Sequence, residues 1–326
     1  MKILLSEKSL QSLRQKIEKM MAGQPFECVT FESAIASGRR DFDAAFISRD
    51  VTGLSTKHEL APSLKACYQV LDETQSLRWV HIHSAGADRD IYVRLKARGV
   101  QVATSSGANA DVVAQTALAG LLALSRKFPQ LVHAMHERKW APLLGSTLPP
   151  DLEGQTVVMV GWGPIGQRLA QFLTVLGLHL VVVRQSQHAT AQPAKQLPEM
   201  ITFEMLEGVL PNTDWLVLVC PLTEKTRGLV NAKRMSLMKP TAGLVNVSRG
   251  EVVVEKDLIQ ALQTGVLGSA YLDVFEHEPL PQESALWQMP NVIVTPHSAG
   301  FSSGNEPRVS QMFLSNLKQW SLVGPS

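Results

Sequence analysis

Along this chain the spacing of apolar residues switches repeatedly between that of strands and that of helices. Short apolar runs fall at residues 2–5, 27–31, 43–48, 78–84 and 100–104, while residues 10–21 and 58–71 carry apolar positions at helical spacing. Such alternation predicts βαβ units, that is, a parallel sheet with helices on both faces. Residues 111–126 predict a long buried helix with Asp111 as its N-cap. A second series of strands is expected at residues 157–160, 178–183, 215–219, 244–247, 269–273 and 292–295. Residues 142–150, with three prolines and no periodicity, read as a loop before that series. At the end, Val309, Met312, Phe313, Leu317 and Trp320 form one face of an amphipathic helix over residues 308–322, which is expected to cross back to the first unit.

Residues 157–166 read Val-Val-Met-Val-Gly-Trp-Gly-Pro-Ile-Gly, and residues 167–176 continue at helical spacing. Strand, G-x-G-x-x-G turn and helix in that order suit a dinucleotide. Gly161 permits the tight turn, Gly163 has no Cβ to keep the pyrophosphate away, and Gly166 lets the helix lie close to the strand. Together with Pro164 and Ile165, which open the helix, these glycines are the expected cofactor turn. The next strand ends at Arg184, eighteen residues past Gly166, where an NAD site usually holds an Asp or Glu for the ribose 2′-OH. A guanidinium cannot accept those hydrogen bonds, but it pairs well with the 2′-phosphate of NADP. Ser186 and His188 could donate beside it, so NADP is expected as the preferred cofactor, with NAD possible.

The later strands each deliver a polar or special residue at their carboxyl end, the edge at which open α/β sheets bind ligands. By this reading Arg249, Asp273 and His297, distant in sequence, converge on one site. The turn Ser84-Ala85-Gly86-Ala87-Asp88 has two readings: small residues that bring backbone N–H groups to a carboxylate, or an ordinary strand-to-helix turn capped by Asp88. His133 and His136 share a helical face but have no third ligand near them, so a solvated face is expected. His81 and His83 are expected to pack or bond locally.

Composition narrows the picture. A length of 326 residues suits two domains, and 45% hydrophobic with 18% charged residues is a globular balance. With 31 Lys plus Arg against 29 Asp plus Glu, the net charge of +2 gives no electrostatic case for a nucleic-acid or membrane partner. An initial apolar run of only three residues suits neither a signal peptide nor an anchor. Cys28, Cys67 and Cys220, odd in number and widely spaced, suggest reduced thiols in a cytoplasmic protein, with no disulfide frame or metal site.

Taken together, the motifs resemble the D-isomer-specific 2-hydroxyacid dehydrogenase family over nearly the whole length. They are Leu152-Glu153-Gly154, the glycine turn, Cys220-Pro221-Leu222-Thr223, Asn246-Val247-Ser248-Arg249-Gly250, residues 272–280 and Thr295-Pro296-His297. The resemblance implies two Rossmann-like or flavodoxin-like parallel-sheet domains with an interdomain cleft. It implies a dinucleotide domain at residues 104–297, inserted into a substrate domain of residues 1–103 and 298–326. It also implies reduction of a small 2-keto acid, of the glyoxylate or hydroxypyruvate type, to the D-2-hydroxy acid. His297 would be the general acid, Glu278 the carboxylate that holds it, and Arg249 the group that binds the substrate and polarises its carbonyl. From the residues alone Glu276 competes with Glu278, and the family's placement of its carboxylate before the proline favours Glu278. Cys220, Pro221, Thr226, Val247 and Ser248 would line the cofactor, and Asp273 would receive the nicotinamide carboxamide. The backbone at Ala85 and Gly86 would take the substrate carboxylate. A homodimer formed through the dinucleotide domain is also implied. Some relatives of this fold are corepressors, so a non-catalytic dinucleotide-sensing protein is the alternative.

Overall fold

The computed structural model describes residues 1–145, 148–185 and 198–323. The chain forms two compact units, Met1–Asn109 with Ser302–Ser326, and Ala110–Phe301.

The first unit alternates as its sequence predicts: β1 (Lys2–Leu5), α1 (Glu7–Met20), β2 (Glu27–Thr30), α2 (Phe31–Ser37), β3 (Ala44–Ile47), α3 (Arg49–Thr52), α4 (Pro62–Glu73), β4 (Trp79–Ile82), α5 (Asp90–Ala97) and β5 (Gln101–Thr104). All pairings are parallel, in the order β2-β1-β3-β4-β5, so every connection is a crossover and both faces must be covered. The period of two divides the strand residues between those faces. Leu4, Ala45, Ile47, Val80 and Ile82 meet Leu64, Leu71, Ile91 and Leu95 of α4 and α5. Ile3, Leu5, Ala44, Phe46 and Trp79 meet Leu13 and Ile17 of α1, together with Val309, Phe313 and Leu317 of the C-terminal helix Asn305–Val323. That helix seals the second face with aromatic rings: Phe313 stacks on Phe46 at 4.2 Å and Trp320 on Trp79 at 5.6 Å.

The second unit opens with α6 (Ala110–Ser125) and α7 (Phe128–His136). There follow β6 (Thr156–Val160), α8 (Pro164–Val175), β7 (His179–Val183), β8 (Glu199–Ile201), α9 (Leu206–Val209), β9 (Trp215–Leu218), α10 (Ala232–Met235), β10 (Gly243–Asn246), α11 (Glu255–Thr264), β11 (Ser269–Leu272) and β12 (Val292–Val294). The parallel order is β12-β11-β10-β9-β6-β7-β8, which reverses direction between β6 and β9. One face of the sheet buries Val158, Val160, Leu216, Leu218, Leu244 and Leu272. The other buries Val157, Met159, Val217, Val245 and Tyr271 beneath α6 and α8. Close approach of α6 depends on Gly120, where a Cβ would run into the Tyr271 ring.

Three local expectations change. Asp111 lies in the first turn of α6, which begins at Ala110, and it pairs there with Arg168 Nε at 2.7 Å. The strand expected to reach residue 31 stops at Thr30, whose hydroxyl accepts from the Ser33 amide and starts α2. In the turn after β4 the helix N-cap is Arg89 without a side-chain cap, while Asp88 faces Lys57 at 3.7 Å.

Candidate active site

In the second unit, the described candidates lie on the loops that leave the carboxyl ends of the strands. Gly161 follows β6 with φ of 114°, and a Cβ on it would lie 2.8 Å from the Val219 carbonyl oxygen. A Cβ on Gly166 would lie 2.6 Å from the Gly161 oxygen. These two glycines are therefore required by backbone packing where β6 and β9 part. Gly163, the N-cap of α8, is different, because the space a Cβ would take is open. The protein's own packing does not require glycine there, whereas an anion approaching the helix terminus would. Pro164 at the first helical position has no N–H to lose, and α8 has no side-chain cap. A pyrophosphate fits this turn.

Arg184 follows β7 and is half-buried, its amide donating to the Ile201 oxygen at 3.0 Å. Ser186 and His188 lie outside the described residues. Beyond β9, Thr226 closes the loop that starts at Cys220: its hydroxyl accepts from the Thr223 amide and donates to the Pro221 oxygen, each at 2.8 Å. Burial pushes the Cys220 thiol up to about 12, so it is a packing group and not a nucleophile. Beyond β10, the buried Asn246 side chain accepts from the Ser248 amide at 3.0 Å and from its hydroxyl at 2.7 Å, and donates to the Arg249 oxygen at 3.0 Å. Val247 and Ser248 are buried by this fold of the loop, and Arg249 Nη1 donates to the Ser248 oxygen at 2.7 Å. A Cβ on Gly250 would collide with the Phe275 backbone, so the loops after β10 and β11 are pressed together.

His297 stands just after β12 with φ of 48°, a left-handed conformation that costs of order 1–3 kcal/mol in a non-glycine residue unless its surroundings fix it. Its Nδ1 lies 2.7 Å from Glu278 Oε2, with the histidine side chain 51% exposed and the glutamate 13%. Glu278 Oε1 accepts from the Phe275 amide at 3.2 Å. Glu276 is directed elsewhere: it accepts from the Glu255 amide at 3.2 Å, and its own amide donates to Glu255 Oε2 at 3.1 Å. Burial pushes the Glu278 carboxyl up, but the His297 hydrogen bond and charge, the Phe275 amide and the Arg249 charge together hold it below the usual carboxylate value.

Asp273, after β11, is 2% exposed. Its Oδ1 accepts from Thr295 Oγ1 at 2.6 Å and from the Ser298 amide at 2.9 Å, and its Oδ2 accepts from the Ala299 amide at 3.0 Å. Three of roughly four lone-pair positions are thus filled by the loop that carries His297. Burial raises this carboxyl, in spite of those donors.

In the first unit, Ser84 Oγ donates to the Gly86 oxygen at 2.8 Å and shapes the turn at Ala85, which is exposed. His81 and His83 bond locally, to Ser105 Oγ at 2.9 Å and Thr52 Oγ1 at 3.0 Å, and burial first of all lowers both to about 4. His133 pairs with Glu137 at 3.3 Å. Among the described residues no group of three or more His, Cys, Asp or Glu is placed to hold a metal ion. Nor, among them, is any helix long and apolar enough to cross a membrane.

Residues 118–299 match the family model described as D-isomer specific 2-hydroxyacid dehydrogenase, NAD binding domain. The chain belongs to this family. A glyoxylate/hydroxypyruvate reductase of Arabidopsis thaliana is 32% identical over 251 residues, covering 77% of this chain and 75% of that protein. Glyoxylate/hydroxypyruvate reductase B of Escherichia fergusonii is 34% identical over 239 residues, 73% of each. Among solved structures, the NADPH-dependent glyoxylate/hydroxypyruvate reductase of Sinorhizobium meliloti, in complex with NADP and malonate, aligns with a TM-score of 0.74 at 30% identity. It covers 98% of this chain and 93% of that one. Three residues to which the sequence alone assigned no role hold the loops after β10 and β12 by hydrogen bonds: Asn246 through Ser248 and Arg249, and Tyr271 through Thr295, which bonds Asp273. The available signal was a polar residue inside or at the end of an otherwise apolar strand, which needs an internal partner.

The lowered Glu278 carboxyl gives a pH test. Its charged form stabilises the fold above the unfolded value of 4.5, and that contribution is lost as pH falls through the lower folded value. Between pH 7 and 3 the unfolding free energy of the wild type should therefore drop more steeply than that of Glu278→Gln, as read by urea titration at each pH. Parallel curves would remove the ion pair from the stability of this site.

Proposed function

We propose that this protein is an NADPH-preferring reductase of small 2-keto acids, of the glyoxylate or hydroxypyruvate type, forming the D-2-hydroxy acid. The observation that carries the reading is the His297–Glu278 pair at 2.7 Å, beside the loop that bears Arg249. NADPH, when bound, supplies the hydride that reaches the carbonyl carbon. Glu278 engages Nδ1, which leaves Nε2 of His297 as the nitrogen that delivers a proton to the carbonyl oxygen. Arg249 pairs with the substrate carboxylate and polarises the carbonyl, and the backbone N–H groups of Ala85 and Gly86 are the carboxylate donors proposed for the first unit.

The order of residues along the sheet supports the cofactor assignment. Arg184 follows β7, Gly161, Gly163, Pro164, Ile165 and Gly166 follow β6, Cys220, Pro221 and Thr226 follow β9, Val247 and Ser248 follow β10, and Asp273 follows β11. Arg184 would hold the 2′-phosphate of a dinucleotide, the glycine turn would hold its pyrophosphate, and the remaining acceptor position of Asp273 would receive the nicotinamide carboxamide. The relatives' names point to the same chemistry. A corepressor-like role is not favoured, since a dinucleotide sensor has no use for a matched acid, carboxylate and arginine.

A homodimer belongs to this reading. Helix α7 has no buried residue and exposes Phe128, Val132 and Met135, and Trp140, in the segment that follows it, is 96% exposed. A second copy would cover such an apolar surface. A cytoplasmic setting is supported by three free cysteines, the thiols of Cys28 and Cys67 being pushed up to about 11 by burial and that of Cys220 higher still.

Purified protein should consume NADPH, read at 340 nm, on addition of glyoxylate or hydroxypyruvate. His297→Ala should lower kcat by about 10² to 10⁴ with NADPH binding retained; a variant as fast as the wild type would end the acid assignment. Arg184→Asp should move the NADPH/NADH ratio of kcat/KM towards NADH by at least about tenfold, since one charge-assisted pair is worth about 1.5–3 kcal/mol. An unmoved ratio would leave the phosphate contact without support. In sedimentation, the wild type should run as a dimer and the double variant Met135→Ser, Trp140→Ser as a monomer; a monomeric wild type at micromolar concentration would contradict the dimer.

A further inference from the structure

We infer that Tyr271 and Thr295 are positioning residues for the His297 proton donor, acting through Asp273 as one directed chain of hydrogen bonds. The inference rests on the reading of His297 as the acid. Asp273 in its ionised form can only accept, so the Thr295 hydroxyl, at 2.6 Å from Oδ1, must donate to it. The Tyr271 hydroxyl, at 2.8 Å from Thr295 Oγ1, must then donate to Thr295. Direction therefore runs from Tyr271 to Thr295 to Asp273. Two further acceptor positions of Asp273 hold the amides of Ser298 and Ala299, and its carbonyl oxygen accepts the His297 amide at 2.8 Å. Thr116 Oγ1, on α6, lies 3.0 Å from the Val112 oxygen of its own helix and 3.1 Å from the Ala299 oxygen, so its single proton is shared between the helix and the far end of the loop.

The conformation of His297 explains why so many bonds converge. Its left-handed backbone is not one that the residue holds by preference, so the neighbours must determine it. Residues on either side of His297 are bonded to one buried carboxylate, and that carboxylate keeps its place because Thr295 satisfies it. Tyr271 in turn is fixed at its ring, which packs under Gly120. Neither Tyr271 nor Thr295 need touch the substrate or cofactor for this role.

Thr295→Val keeps the shape but removes the hydroxyl, leaving a lone pair of Asp273 and the Tyr271 hydroxyl without their partner. Its kcat should fall by about 10- to 100-fold, as expected for a buried polar group left unsatisfied, with the Kd for NADPH, read by fluorescence titration, within about twofold of the wild type. Thr295→Ser should restore kcat to within about threefold, because the hydroxyl returns, and Tyr271→Phe should lose about three- to tenfold. The inference fails if Thr295→Val keeps the wild-type kcat, if Thr295→Ser is as slow as Thr295→Val, or if NADPH affinity falls in step with kcat. Should Thr295→Val not fold, the comparison of Tyr271→Phe with the wild type decides alone. His297→Ala, assayed alongside, separates the two readings. If it is fast, the acid assignment falls and this inference with it; if it is slow while Tyr271→Phe and Thr295→Val are not, only the positioning chain is wrong.

Discussion

The strongest constraint on this molecule is that every strand in each sheet runs the same way. Parallel strands must be joined by crossovers, the crossovers cover both faces, and both faces must then be apolar. This is why residues such as Val157 to Val160 read as continuous runs and not as alternating ones, and why all four are buried. The same constraint sends each strand's following residue to one rim. In the second unit Gly161, Arg184, Cys220, Val247, Asp273 and His297 share an edge although they are spread over more than a hundred residues of sequence. The chemistry of the rim is thus a consequence of sheet direction before it is one of any single contact.

Two carboxylates on that rim have opposite environments. Glu278 faces an imidazole and is held below its usual range, whereas Asp273 faces mainly neutral donors in a buried place and is pushed above it. The first is suited to share charge with His297. The second is suited to gather backbone amides, and three donors from the 295–299 loop occupy it. Charge pairing and loop anchoring are thus separated between two residues five positions apart.

Much of this was legible in the sequence, for physical reasons that differ by element. Strands showed as apolar runs because burial on both faces leaves no polar position, and the C-terminal helix showed through Val309, Phe313 and Leu317. The three-residue β8 was invisible, since Glu-Met-Ile at a sheet edge has neither length nor pattern. Helix α2 was hidden because its cap, Thr30, also ends the strand before it. The choice between Glu276 and Glu278 could not be made from spacing; it depends on which side chain the turn after β11 directs to the imidazole and which it directs to the first turn of α11. Asn246, Tyr271 and Thr295 went unread because each is polar for the sake of a partner far away or folded back locally, and one-dimensional periodicity carries no sign of such pairs.

The contact between Gly120 and the Tyr271 ring has a bearing on how this sequence can change over time. A side chain at position 120 and an aromatic ring at position 271 exclude one another, so the two positions form a swap: bulk can be gained on α6 only where it is given up on β11. Any lineage that makes this exchange loses the tyrosine hydroxyl along with the ring.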